Sequence, residues 1–152
     1  MSAVSSCQIE PYLSFMRPLA LEAGRLLKEG FSKRLKITYK GRINPVTDVD
    51  LRAEKLITRA IQRQFPTHAV LGEEGSDSRG QSEFVWIIDP LDGTVNYAHD
   101  YPLACVSIAL EHNDRTVLGV VYDPERDELF TAEKGRGASL NKKRIRVSAT
   151  KG

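Results

Sequence analysis

The chain has 152 residues, 41% of them hydrophobic and 28% charged, with a formal net charge of +2. This is one domain's length and the composition of an ordinary globular protein with room for a single core. So small a net charge argues against nucleic acid or a membrane surface as the main partner. Two cysteines in no paired spacing, Cys7 and Cys105, make neither a disulfide framework nor a Cys-type metal site.

No run reaches the roughly 18 apolar residues of a membrane span. Residues 1–13 carry neither the basic nor the apolar region of a signal peptide, so a cytoplasmic location is expected. From about Gln8 to Phe31, Ile9, Tyr12, Leu13, Met16, Leu19, Ala20, Ala23, Leu26 and Leu27 recur at helical spacing. Pro18 predicts a kink or a fresh start within this helix, and Gly30 a stop. After the polar stretch Lys40-Gly41-Arg42-Ile43-Asn44-Pro45, a second helix is predicted from Thr47. Thr47 is its candidate N-cap, and Asp48 and Asp50 fall in the first turn, where the helix dipole favours acids. Ala53, Leu56, Ile57, Ala60 and Ile61 give it one apolar face, and Pro66 ends it.

Short apolar runs then replace helical periodicity. Strands are predicted at His68–Leu71, Phe84–Ile88, Ala104–Glu111, Thr116–Tyr122, Glu128–Ala132 and Ile145–Ala149. The connectors Asn113-Asp114, Pro124-Glu125-Arg126-Asp127 and Gly135-Arg136-Gly137 are too short for parallel crossovers and predict an antiparallel meander. Two helices followed by a largely antiparallel sheet define an α+β protein. Lys142, Lys143, Arg144, Arg146 and Lys151 read as a charged edge that discourages strand pairing.

The segment that carries chemistry is Trp86-Ile87-Ile88-Asp89-Pro90-Leu91-Asp92-Gly93-Thr94-Val95-Asn96-Tyr97. A strand delivers Asp89, and Pro90 and Gly93 force a tight turn that holds Asp89 and Asp92 together. Upstream, Leu71-Gly72-Glu73-Glu74-Gly75 ends another strand in acids. Carboxylates from two strand ends, without a histidine or cysteine cluster, suit Mg²⁺ or Mn²⁺ better than Zn²⁺. Bridging carboxylates hold two ions about 3.5–4 Å apart in phosphoryl displacement. Gly93 and Thr94 can open a helix whose free amides face a phosphate. By itself Asp-Pro-Leu-Asp-Gly-Thr is also an ordinary turn; the acidic pair upstream makes the pattern specific.

The string from Asp89 to Tyr97, continuing through His99 and Tyr101-Pro102, closely resembles the signature of the inositol monophosphatase family. Leu71-Gly72-Glu73-Glu74 resembles its upstream acidic motif, and Asn44-Pro45-Val46-Thr47-Asp48-Val49-Asp50 its first loop. Gly119 to Pro124, then Ala132 and Gly135 to Ala138, resembles its following hairpin. The likeness implies residues 1–152 as a single N-terminal unit of the layered αβαβα sugar-phosphatase fold. It implies that Glu73 binds a first metal, Asp89 bridges two, the Leu91 carbonyl joins the first and Asp92 holds the second. Glu73 and the Thr94 hydroxyl would orient the attacking water, the Gly93 and Thr94 amides would hold phosphate, and Asp50 would help order water beside a third, weaker metal position. For Asp50 a plain helix-terminal role is an even alternative, for Asp48 the better one. Glu74 reads as a surface or supporting acid, His99 as a loop residue, and Lys40 as a solvated charge.

The resemblance also implies Mg²⁺ or Mn²⁺, a small phosphorylated polyol or sugar as substrate, and a homodimer. The continuation Asn96-Tyr97-Ala98-His99 looks most like the inositol branch. Two departures stand out: Asn44 replaces an acid of the first loop, and the family's second α/β half, with its further aspartate, is absent. The expectation is a nearly intact first metal position, a second one short of a ligand, weak metal binding, and low or no turnover by this chain alone. Alternatives are a catalytically impaired fragment, a non-catalytic interaction module, or a phosphatase of fructose bisphosphate or nucleotide phosphate.

Overall fold

The structure, a computed structural model, describes residues 6–31, 37–40, 44–77 and 82–150. The side chains of Cys7, Lys40, Asn44 and Thr47, and the whole of Lys151, lie outside that description. Helix α1 spans Ser6–Phe31 and α2 Asp48–Gln64, with the two-stranded hairpin β1 (Ile37–Lys40) and β2 (Asn44–Thr47) between them. There follow β3 (Ala69–Gly72), β4 (Phe84–Asp92), the short helix α3 (Thr94–Ala98), β5 (Cys105–His112), β6 (Thr116–Asp123), β7 (Glu128–Glu133), β8 (Gly137–Leu140) and β9 (Lys143–Ile145). The last seven strands form one sheet in sequence order, antiparallel except for the parallel pair β3–β4. The α+β class and the meander are as the sequence indicates.

Pro18 neither ends α1 nor restarts it: the helix is continuous through both Pro11 and Pro18. An interior proline costs about 3 kcal/mol through its missing N–H and its ring clash. Tertiary packing outweighs that cost here, because Leu13, Met16, Leu19, Ala20, Ala23 and Leu27 are all buried along one side of α1. At roughly 1.5–3 kcal/mol for each large apolar side chain fully buried, this stripe fixes the helix as one piece.

Helices α1 and α2 cover one face of the sheet, and the core lies between. Strand β5 shows the pleat directly: Val106, Ile108 and Leu110 are buried, while Cys105, Ser107 and Ala109 on the other face are half-buried. Along that second face Val85, Ile87, Val121, Phe130 and Leu140 are also half-buried.

The strand expected at Ile145–Ala149 is displaced toward the N-terminus. Asn141 (φ 46°) and Lys142 (φ 69°) form a two-residue turn in the left-handed region, which pairs Leu140 with Lys143, Ser139 with Arg144 and Ala138 with Ile145. Beyond Ile145, residues 146–150 continue without strand structure. Strand β9 is exposed throughout and carries Lys143 and Arg144, the charged edge the sequence indicates.

Candidate functional site

The parallel register of β3 and β4 builds the site. Gly72 is opposite Ile88. The Glu73 amide continues the ladder by donating to the Ile88 carbonyl at 3.1 Å. Glu73 therefore falls beside Asp89, one step further along each strand, and their carboxyl groups are hydrogen-bonded. Burial, then the charge and hydrogen bond of Glu73, then Asp92 push Asp89 up to about 7; the Leu91 N–H, donating to Asp89 Oδ1 at 3.2 Å, offsets only part of this.

The β4–β5 register shifts between Asp89 and Asp92, so the strand bulges there. Asp92 ends exposed, with its Oδ2 accepting from the Cys105 thiol at 3.8 Å. Burial, then Asp92 and Asp89, push that thiol up to about 12. Gly93 follows at φ 93°, and a Cβ there would lie 2.8 Å from the Leu103 carbonyl oxygen, so the turn requires glycine. Helix α3 begins at Thr94, whose hydroxyl donates to the Leu91 carbonyl at 3.0 Å. The Tyr97 hydroxyl ties α3 to α1 by donating to the Leu27 carbonyl at 2.5 Å, and its ring packs on Phe31 at 4.2 Å between centroids.

Of the sequence-predicted residues, the structure brings together Glu73 and Asp89, with Asp92 as their charged neighbour and Leu91 and Thr94 on the same turn. Asp50 is buried in the first turn of α2. Its charge adds to burial in raising the Tyr97 hydroxyl. The largest influences on Asp89 are its burial, then Glu73, Asp92 and Leu91. His99 is exposed, and its amide closes the end of α3 on the Asn96 carbonyl at 3.1 Å, a loop role.

Among the described residues, no three His, Cys, Asp or Glu side chains stand as a ready metal-holding group. What is assembled is the Glu73–Asp89 pair, with Asp92 turned toward Cys105. The donors nevertheless fit a hard divalent cation. They are carboxylate and carbonyl oxygens, and a cation would relieve both the burial and the neighbouring Glu73 charge that raise Asp89.

Sequence reasoning missed two neighbours of the site. Cys105 meets Asp92 only through the β4–β5 pairing. Glu54, on α2, is buried at 5% exposure and accepts the Glu74 amide at 2.6 Å and the Ser76 amide at 3.0 Å. A signal for it existed. Asp50, Glu54 and Thr58 recur every four residues beside the apolar stripe of Val49, Ala53, Ile57 and Ile61, and all seven are buried.

The chain that carries this parallel strand pair, its acidic ends and the glycine turn into a short helix belongs to the inositol monophosphatase family, whose model covers residues 8–151. It is 41% identical over 145 residues to "Inositol monophosphatase 3" of Solanum lycopersicum, covering 93% of this chain and 54% of that protein. It is 42% identical over 144 residues to "Nus factor SuhB" of Xylella fastidiosa, covering 93% and 52%. The solved structure of "extragenic suppressor protein suhB" from Bartonella henselae superposes with a TM-score of 0.89 at 40% identity, over 92% of this chain and 55% of that one. The chain thus spans about half the length of the curated relatives it matches.

Proposed function

We propose that this protein belongs to a Mg²⁺-dependent phosphatase that hydrolyses the phosphomonoester of inositol or of a closely related polyol or sugar. The carrying observation is the register that sets Glu73 against Asp89 at the mouth of the Gly93 turn. Family membership and a relative named for inositol monophosphatase support the substrate class.

In this reading Glu73, Asp89, Asp92 and the Leu91 carbonyl hold Mg²⁺, or Mn²⁺ in its place. A divalent cation bound there supplies Lewis acidity and positive charge against the phosphate. The Thr94 hydroxyl already donates to Leu91, so its lone pairs are left to accept from a water, which Thr94 and Glu73 together orient. The Gly93 and Thr94 amides, at the start of α3, face the phosphate. Asp50 orders water from the first turn of α2. Residues 1–152 act as one N-terminal unit, and the whole protein works as a cytoplasmic homodimer. No described helix is long and apolar enough to cross a membrane.

The test is Mn²⁺ binding to the purified chain by electron paramagnetic resonance, beside phosphate release from inositol 1-phosphate. Weak binding that disappears in Asp89→Asn, with low Mg²⁺-dependent release, is expected. Binding that survives Asp89→Asn sinks the site assignment. Relatives named Nus factor SuhB favour a second reading, a non-catalytic interaction module. It predicts no metal-dependent release, and partner binding indifferent to Asp89→Asn.

A further inference from the structure

We infer that Glu54 is a positioning residue of this site, acting through Glu73; the inference rests on the reading of Glu73 and Asp89 as metal-binding. Glu73 is itself exposed, and its carboxyl reaches Asp89 from a backbone that is held from three sides. On the β4 side the Glu73 amide donates to Ile88. Within the turn, the Gly72 amide donates to the Ser76 carbonyl at 2.6 Å. On the helix side, one carboxylate of Glu54 receives both the Glu74 and the Ser76 amides, and Thr58 Oγ1 meets Ser76 Oγ at 3.2 Å.

The third hold is the costly one. A carboxylate taken out of water is unfavourable unless its oxygens are hydrogen-bonded, and an apolar residue at position 54 would extend the stripe of α2 without that cost. What the buried carboxylate does, and an apolar residue cannot, is seat two amides of one turn, those of Glu74 and Ser76, on a helix that also packs against β4. Gly72 completes the fit: a Cβ there would stand 2.5 Å from Glu54 Oε2, so the strand end lies directly on the carboxylate. Glu73 sits between these two contacts, with Gly72 on one side and the Glu74 amide on the other. Loss of Glu54 therefore frees the turn and lets the Glu73 carboxylate leave Asp89.

Glutamine keeps the shape of Glu54 but offers one carbonyl oxygen, and its NH₂ faces an amide N–H. Glu54→Gln is therefore the discriminating variant, with Glu54→Ala as the more disruptive one. In the full 152-residue chain we expect Glu54→Gln to weaken Mn²⁺ binding about 10- to 100-fold, the range seen when supporting partners of metal ligands are removed. Trp86 fluorescence should stay native. The Glu54→Gln/Glu73→Gln double variant should bind no more weakly than Glu73→Gln alone, because the first change acts through the second residue. An unchanged Mn²⁺ affinity in Glu54→Gln, or a double variant in which the two losses multiply, overturns the inference. Amide hydrogen exchange decides it even if the wild-type chain takes no Mn²⁺, an outcome that fells the metal-site reading instead. Faster exchange at Glu74 and Ser76 confined to that turn supports the clamp, and undiminished protection there refutes it.

Discussion

Gly72 lies against the carboxylate of Glu54 so closely that a Cβ on it would stand 2.5 Å from Oε2, 2.6 Å from Cδ and 2.9 Å from Oε1. Gly72→Ala therefore has to displace the Glu54 carboxylate, which is held by the Glu74 and Ser76 amides. Leaving buried groups unsatisfied costs about 1–3 kcal/mol. We expect urea unfolding, followed by Trp86 fluorescence, to show a loss of that size. The loss should shrink in a Glu54→Ala background, where there is no carboxylate to displace. Equal losses in both backgrounds would mean that Gly72 acts through something else.

Metal should stabilise the chain through Asp89. In the ion-free protein Asp89 is raised to about 7 by burial and by Glu73, so Asp89→Asn removes a repulsion and should raise the melting temperature in EDTA. Mn²⁺ at 100 times its Kd contributes about 2.7 kcal/mol to a protein that binds it only when folded. For a domain of this size that is a rise of roughly 5–10 °C. Calorimetry should show the rise in the wild type and none in Asp89→Asn.

His68 should make stability pH-dependent. Its Nδ1 accepts from Trp86 Nε1 at 3.1 Å, within a cluster of Phe65, Phe84 and Trp86. Burial lowers its pKa below the ordinary 6.5. The unfolded chain thus takes up a proton more readily than the folded one. The contribution of neutral His68 is fully present above pH 6.5 and is lost as pH falls through the lowered native value. Urea midpoints measured from pH 8 to pH 5 should fall more steeply for the wild type than for His68→Phe. Parallel curves would remove His68 from the acid response.

Cys105 should resist alkylation. Burial first, then Asp92 and Asp89, hold its thiol up to about 12, so at pH 8 only about one molecule in 10⁴ carries the reactive thiolate. Iodoacetamide should modify Cys105 in urea and leave it almost untouched in the native chain, as peptide mass mapping would show. Rapid native labelling would contradict the contact with Asp92.

The sequence by itself determined the local chemistry. Apolar spacing set α1 and α2. Turn residues such as Asn113 and Asp114, both in the left-handed region, set the β5–β6 hairpin. Asp89 to Tyr97 showed the acidic turn and the helix after it, because each depends on residues a few positions apart. Tertiary structure decided what depends on distant partners. The continuity of α1 through Pro18 follows from burial against the sheet, a gain larger than the local cost of proline. Glu73 meets Asp89 because β3 and β4 run parallel in one register, and Glu54 reaches the Glu74 amide across 20 residues of sequence. Neither periodicity nor turn chemistry encodes those pairings. Only the packing of α2 on β4 brings the two stretches of chain to hydrogen-bonding distance.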